Sequence, residues 1–125
     1  MSKIVPNPLG LVLEPEDMAE MVRIGHQRKP REACGILLQT PHHKSRVIEL
    51  PNRLQELGEF ELRGVDIRIA LEGYTGDWDS MAIWHTHPEG QLGPSEGDLE
   101  NKPNILSHLI ITLYDTPDKA KATWY

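Results

Sequence analysis

The stretch Met81-Ala82-Ile83-Trp84-His85-Thr86-His87-Pro88, continuing to Pro94-Ser95-Glu96-Gly97-Asp98, decides how the rest of the chain is read. It begins as an apolar run and ends in two histidines one residue apart. Strand side chains alternate between faces, so His85 and His87 point the same way, and two imidazoles on one face can share a metal ion. Ser95 and Asp98 fit an S-x-x-D helix start, with the serine as cap and the acid in the first turn. A strand end and a helix start, joined by a Gly/Pro-bearing loop, can thus bring two imidazole nitrogens and a carboxylate together. That is the donor set of a catalytic zinc site with an open fourth position.

The surrounding chain suits such a site. Its 125 residues are enough for one domain, taken as 1–125, with a real core and little room for appended modules. With 38% hydrophobic and 26% charged residues, the composition is that of an ordinary globular protein. A net charge of -6 argues against nucleic acid or an anionic membrane as partner. No apolar run approaches a membrane span, and Met1-Ser2-Lys3-Ile4-Val5-Pro6 lacks the apolar core of a signal peptide. Cys34 is the only cysteine, which rules out an internal disulfide and a cysteine-based zinc site. A cytoplasmic location is the expectation.

In chain order, Leu9–Leu13 reads as a first strand and Pro15 to about Arg28 as an amphipathic helix. Pro15 suits its first turn and Glu16 and Asp17 its positive end. Met18, Met21 and Val22 fall at helical spacing and read as core packing. Glu32-Ala33-Cys34-Gly35 leads into the buried strand Ile36-Leu37-Leu38. A polar turn at Thr40–Lys44 and a strand at Ser45–Leu50 complete a hairpin, and His42-His43 read as its solvated tip rather than as ligands. Glu59–Leu62 reads as a short strand. Val65–Tyr74 is open between strand, through Val65, Ile67, Ile69 and Leu71, and helix, through Ile67, Ala70, Leu71 and Tyr74. Asn101–Asn104 form a break, Leu106–Leu113 an apolar strand and Lys119–Tyr125 a last strand. Strands mixed with two or three helices give an α/β domain with a mixed or mostly antiparallel sheet.

A zinc ion held by His85, His87 and Asp98 would lower the pKa of a bound water from 15.7 towards ~7. A general base must then take and return the proton, and Glu32, at the mouth of a core strand, is the best candidate. Gly35 lets a neighbouring backbone approach closely. Ser95 can donate a hydrogen bond to the oxyanion of a tetrahedral intermediate. Each piece alone has a plainer reading: a chance His-x-His, an ordinary capping box, a surface acid. Their conjunction outweighs these. Cys34 reads as a small buried residue rather than a nucleophile, and Trp84 as core. Trp124 and Tyr125 suit either a peptide groove or an oligomer contact. His26 and His108 read as non-ligands.

Together these residues resemble the JAMM/MPN+ metallopeptidases. The family's pattern of a glutamate, then His-x-His-Pro, then Ser-x-x-Asp stands here as Glu32, His85, Thr86, His87, Pro88, Ser95 and Asp98. Its Glu-x-Cys-Gly start stands as Glu32-Ala33-Cys34-Gly35. The resemblance implies an MPN-like (cytidine-deaminase-like) α/β fold, a curved mixed sheet flanked by helices, and favours a helix over Val65–Tyr74. It also implies one catalytic zinc on His85, His87 and Asp98, with Glu32 as general base and Ser95 as stabiliser of the intermediate. The implied activity is hydrolysis of a peptide or isopeptide bond at the C-terminus of a ubiquitin-like or sulfur-carrier protein. The small size resembles bacterial and phage members, and the chain has no room after Asp98 for the insertion with which eukaryotic members grip ubiquitin. The expected substrate is an extended peptide laid beside the strand ending at His85. The rival readings are a phage tail-assembly or maturation protein, a non-catalytic MPN scaffold, and a cupin-like metal site, which would leave Ser95 unexplained.

Overall fold

The computed structural model describes residues 10–42, 44–54, 57–100 and 107–125. Among the described residues five runs are strands: β1 (Cys34–Gln39), β2 (Ser45–Leu50), β3 (Ser80–His87), β4 (Ser107–Leu113) and β5 (Ala120–Trp124). They form an open sheet in the order β2-β1-β3-β4-β5. β3 pairs antiparallel with β1 and parallel with β4, while both outer pairings are antiparallel. Among the described residues three helices accompany the sheet: α1 (Pro15–Arg28), α2 (Gly64–Gly73) and the short α3 (Glu96–Glu100), which lies in the crossover between β3 and β4. The architecture is α/β with a mixed sheet flanked by helices, as expected.

Alternation along the strands assigns one helix to each face. Leu37, Ala82, Trp84, Leu109 and Ile111 point to one side and pack with Met21, Val22 and Ile24 of α1. Ile36 and Leu38 point to the other and pack with Ile67, Ala70 and Leu71 of α2. The ambiguity at Val65–Tyr74 is thereby resolved as helix. Ile67, Ala70, Leu71 and Tyr74 are the set that packs on the sheet, whereas Val65 and Ile69, which only a strand would have turned inward with them, are 46% and 60% exposed. The β-like alternation came from two apolar residues on the helix's solvent side.

Gly35 sits where two elements meet. A Cβ there would lie 2.0 Å from the Ile48 carbonyl oxygen of β2 and 2.9 Å from the Trp84 ring. The indole covers this position and donates its Nε1 proton to the Ile36 carbonyl at 3.2 Å. Because the opposing oxygen is backbone in a paired strand, it cannot swing aside. Gly35→Ala is expected to cost about 3 kcal/mol, the upper end of overpacking, read as a lower urea midpoint at unchanged m. A midpoint equal to wild type would mean that the hairpin yields there.

Three expectations are corrected. Residues 10–13 form no strand: Gly10 takes a positive φ of 64°, and the backbone of Val12 pairs with a side chain instead of a ladder. The Gln39 carboxamide accepts the Val12 N–H at 3.0 Å and donates to the Val12 carbonyl at 2.7 Å. Glu59–Leu62 is likewise irregular: one backbone bond, from the Arg53 N–H to the Glu61 carbonyl, forms, while the Asn52 side chain takes the Glu59 carbonyl and the Glu61 N–H. A peptide cannot lie beside β3, since β1 and β4 occupy both of its edges. Among the described residues the sheet's outer strands are β2 and β5. The turn closes through the Thr40 N–H and Lys44 carbonyl at 2.9 Å, with His42 exposed. Met1–Pro6, Leu9, His43, Asn101–Asn104 and Leu106 lie outside the described residues. Among the described residues no helix is long and apolar enough to cross a membrane.

Candidate metal centre

Strand register places the acid beside the histidines. Cys34 stands opposite His85 in the β1–β3 pairing. The ladder continues one step further, where the Thr86 N–H donates to the Ala33 carbonyl and the Ala33 N–H donates to Thr86 Oγ1, both at 2.9 Å. The next residue back, Glu32, therefore shares the face of His85 and His87. Its carboxylate is 6% exposed, with Oε1 3.9 Å from His85 Nε2. Thr86, between the two histidines, thus fixes where Glu32 sits.

Asp98 arrives from the other direction. After β3 the chain turns at Gly90 and Gly93, which take φ of 81° and 73°, a region glycine enters without strain. Ser95 and Asp98 then cap α3 reciprocally. Ser95 Oγ accepts the Asp98 N–H at 3.1 Å, and the Ser95 N–H donates to Asp98 Oδ2 at 2.9 Å. The capped carboxylate reaches back to the strand end, with Oδ2 3.2 Å from Nε2 of His85 and 3.2 Å from Nε2 of His87. The two Nε2 atoms are 3.1 Å apart.

These three atoms form a nearly equilateral triangle. Ligand atoms on a tetrahedral zinc, with bonds of about 2.1 Å, stand about 3.4 Å apart, so the triangle fits such an ion. Its chemistry points the same way. His87 Nδ1 lies 3.2 Å from the Gln91 carbonyl, which can only accept, so Nδ1 carries a proton. Nε2 of neutral His87 and the Asp98 oxygen are then both acceptors, and a shared proton or a cation must lie between them. Glu32, His85 and His87 also offer atoms within 4.8 Å of one another, but Glu32 stands outside the tight triangle.

The titrating groups respond to this crowding. Burial opposes the charge on Asp98, yet the hydrogen bonds with both imidazoles hold its pKa far below the usual range. Burial lowers the pKa of His85. Burial also acts against His87, but the Asp98 hydrogen bond and the charge of Glu32 outweigh it and raise its pKa. Glu32 is pushed up to about 7, chiefly by burial, with His87 pulling the other way. A cation among these groups would favour the ionised carboxylates.

The Cys34 thiol is fully buried and is pushed up to about 12, first by burial and then by Glu49 and Glu32. It should therefore resist iodoacetamide at pH 8 in the folded protein and react fully in denaturant. Rapid native alkylation would contradict its place in the core. Trp84 is core, as expected. Trp124 is half-buried and packs against the α1 side of the core, and Tyr125 is 5% exposed with its ring nearly perpendicular to that of His85. His26 lies on α1, and the His108 ring lies 5.3 Å from that of Tyr125. Phe60, stacked on His85 at 4.2 Å, and Gln91, which acts through its backbone carbonyl, carry no motif signal.

A sequence profile of prokaryotic homologs of the JAB domain matches residues 15–124. The chain belongs to that family. No curated protein and no solved structure matches it. In this JAB-domain protein the possible metal site thus lies inside the matched region, which takes in every residue from Glu32 to Asp98.

Proposed function

We propose that this JAB-domain protein is a zinc-dependent metallopeptidase that hydrolyses a peptide or isopeptide bond at the C-terminus of a ubiquitin-like or sulfur-carrier protein. The observation that carries the reading is the convergence of His85 Nε2, His87 Nε2 and Asp98 Oδ2 within 3.1–3.2 Å of one another, with the buried Glu32 carboxylate alongside. His85, His87 and Asp98 would hold the ion. When bound, zinc supplies a Lewis acid that polarises a carbonyl and acidifies water. Glu32 takes the proton from the attacking water and returns it to the leaving amine. Ser95 uses its oxygen to accept the Asp98 N–H, which leaves its own proton to donate to the developing oxyanion.

Ser95→Ala should lower kcat by about 10²–10³ with metal content unchanged, as for loss of one oxyanion donor. An unaltered rate would reduce Ser95 to a helix cap. The reading as a whole is tested by metal analysis joined to a cleavage screen of C-terminal fusions to ubiquitin-like and sulfur-carrier proteins, with and without chelator. The expected result is one zinc per chain and cleavage that chelation abolishes and zinc restores. A protein that takes up no divalent ion would end the proposal.

A further inference from the structure

The two histidines meet at one point but are held there differently. His87 donates a hydrogen bond from Nδ1 to the Gln91 carbonyl, which itself accepts from Thr112 Oγ1 at 2.8 Å. Such an outer hydrogen bond is the usual way of fixing the plane of a metal-binding imidazole. His85 has no counterpart: its Nδ1 is buried without a hydrogen-bond partner among the described residues. Its ring is instead faced by Phe60, with centroids 4.2 Å apart and planes inclined by 22°. Tyr125 meets it edge-on at 6.2 Å and 85°.

Phe60 is itself held in place. It lies between β2 and α2, in a segment tied by the Asn52 carboxamide and by the Arg53 N–H, which donates to the Glu61 carbonyl at 3.1 Å. Asn52 Nδ2 donates to the Glu59 carbonyl at 3.1 Å, and Asn52 Oδ1 accepts the Glu61 N–H at 3.1 Å, so the residues on both sides of Phe60 are tied. The same Nδ2 donates to the Glu32 carbonyl at 3.0 Å. One side chain therefore links the backbone of the buried acid to the loop that carries the ring.

We propose that Phe60, pinned by Asn52, is the positioning residue of His85, and that stacking does for this imidazole what a hydrogen bond does for His87. A flat ring fixes the tilt of its neighbour, so Nε2 stays aimed at the point shared with His87 and Asp98. The proposal rests on the metallopeptidase reading only for its consequence on metal affinity.

The test compares wild type with Phe60→Leu, Phe60→Tyr and Asn52→Ala. In metal-free protein, the carbon-bound ring protons of His85 should appear upfield by NMR, shifted by the phenyl ring current, as sharp signals. Phe60→Leu should return them towards ordinary imidazole positions and broaden them. Asn52→Ala, which keeps the phenyl ring but frees the loop that carries it, should move them the same way. Phe60→Tyr should restore them. Zinc affinity by chelator competition should fall about 10–100-fold in Phe60→Leu and recover in Phe60→Tyr, with melting temperatures recorded throughout. Unmoved His85 signals in Phe60→Leu or Asn52→Ala would overturn the proposal. So would an affinity lost equally in the tyrosine variant. If wild type takes up no zinc, the metallopeptidase reading fails while the ring signals still decide the role of Phe60.

Discussion

Glu32→Gln is expected to keep zinc at full occupancy and to lower kcat by about 10²–10⁴, the range for loss of a general base. Glutamine keeps the size and one acceptor of glutamate but cannot take a proton. Metal retention is expected because the Glu32 oxygen is 3.9 Å from His85 Nε2, outside the triangle of 3.1–3.2 Å that the other three groups make. The fold should tolerate the change. The buried carboxyl loses the desolvation penalty that pushes its pKa to about 7, and its backbone keeps the Asn52 hydrogen bond. Two measurements decide it, zinc per chain and single-turnover cleavage. A variant that turns over normally would remove Glu32 from the proton path. One that loses zinc as well would make Glu32 a ligand.

How much of the structure is legible in the sequence depends on how local each signal is. The His-x-His pair carries its own geometry, since strand alternation alone puts both imidazoles on one face, and the two histidines do meet there. The S-x-x-D cap is local in the same sense and forms as read. Glu32 was a longer reach. Its distance from His85 is set by Thr86 and by antiparallel register, neither of which a single strand reveals. The misread segments at 10–13 and 59–62 share one cause. Both carry apolar residues at the spacing of a short strand, but side-chain amides of Gln39 and Asn52 take backbone hydrogen bonds that a ladder would have used. Nothing in the composition of a segment announces a carboxamide arriving from elsewhere. The same holds for β3, whose central place depends on pairing with β4 across the crossover. An apolar run describes a buried strand but not its neighbours.

Asp98→Ala should abolish stoichiometric zinc binding, the largest change expected of any single substitution at the site. The carboxylate supplies one of three donors and the only negative charge in the triangle, and two imidazoles alone form an incomplete site for zinc. The alanine variant also loses the acceptor for the Ser95 N–H, so a weakened α3 is an alternative explanation for lost metal. Asp98→Asn separates the two. Its side-chain oxygen can still accept the Ser95 N–H and cap the helix, but it brings no charge to the ion. If charge and ligation matter, asparagine should bind zinc far more weakly than wild type while its circular dichroism and melting behaviour stay close to wild type. Helix α3 spans only Glu96–Glu100, so its fraying alone would be a small structural change. Full zinc retention in Asp98→Ala would move the third donor elsewhere, with the buried Glu32 as the group already within reach.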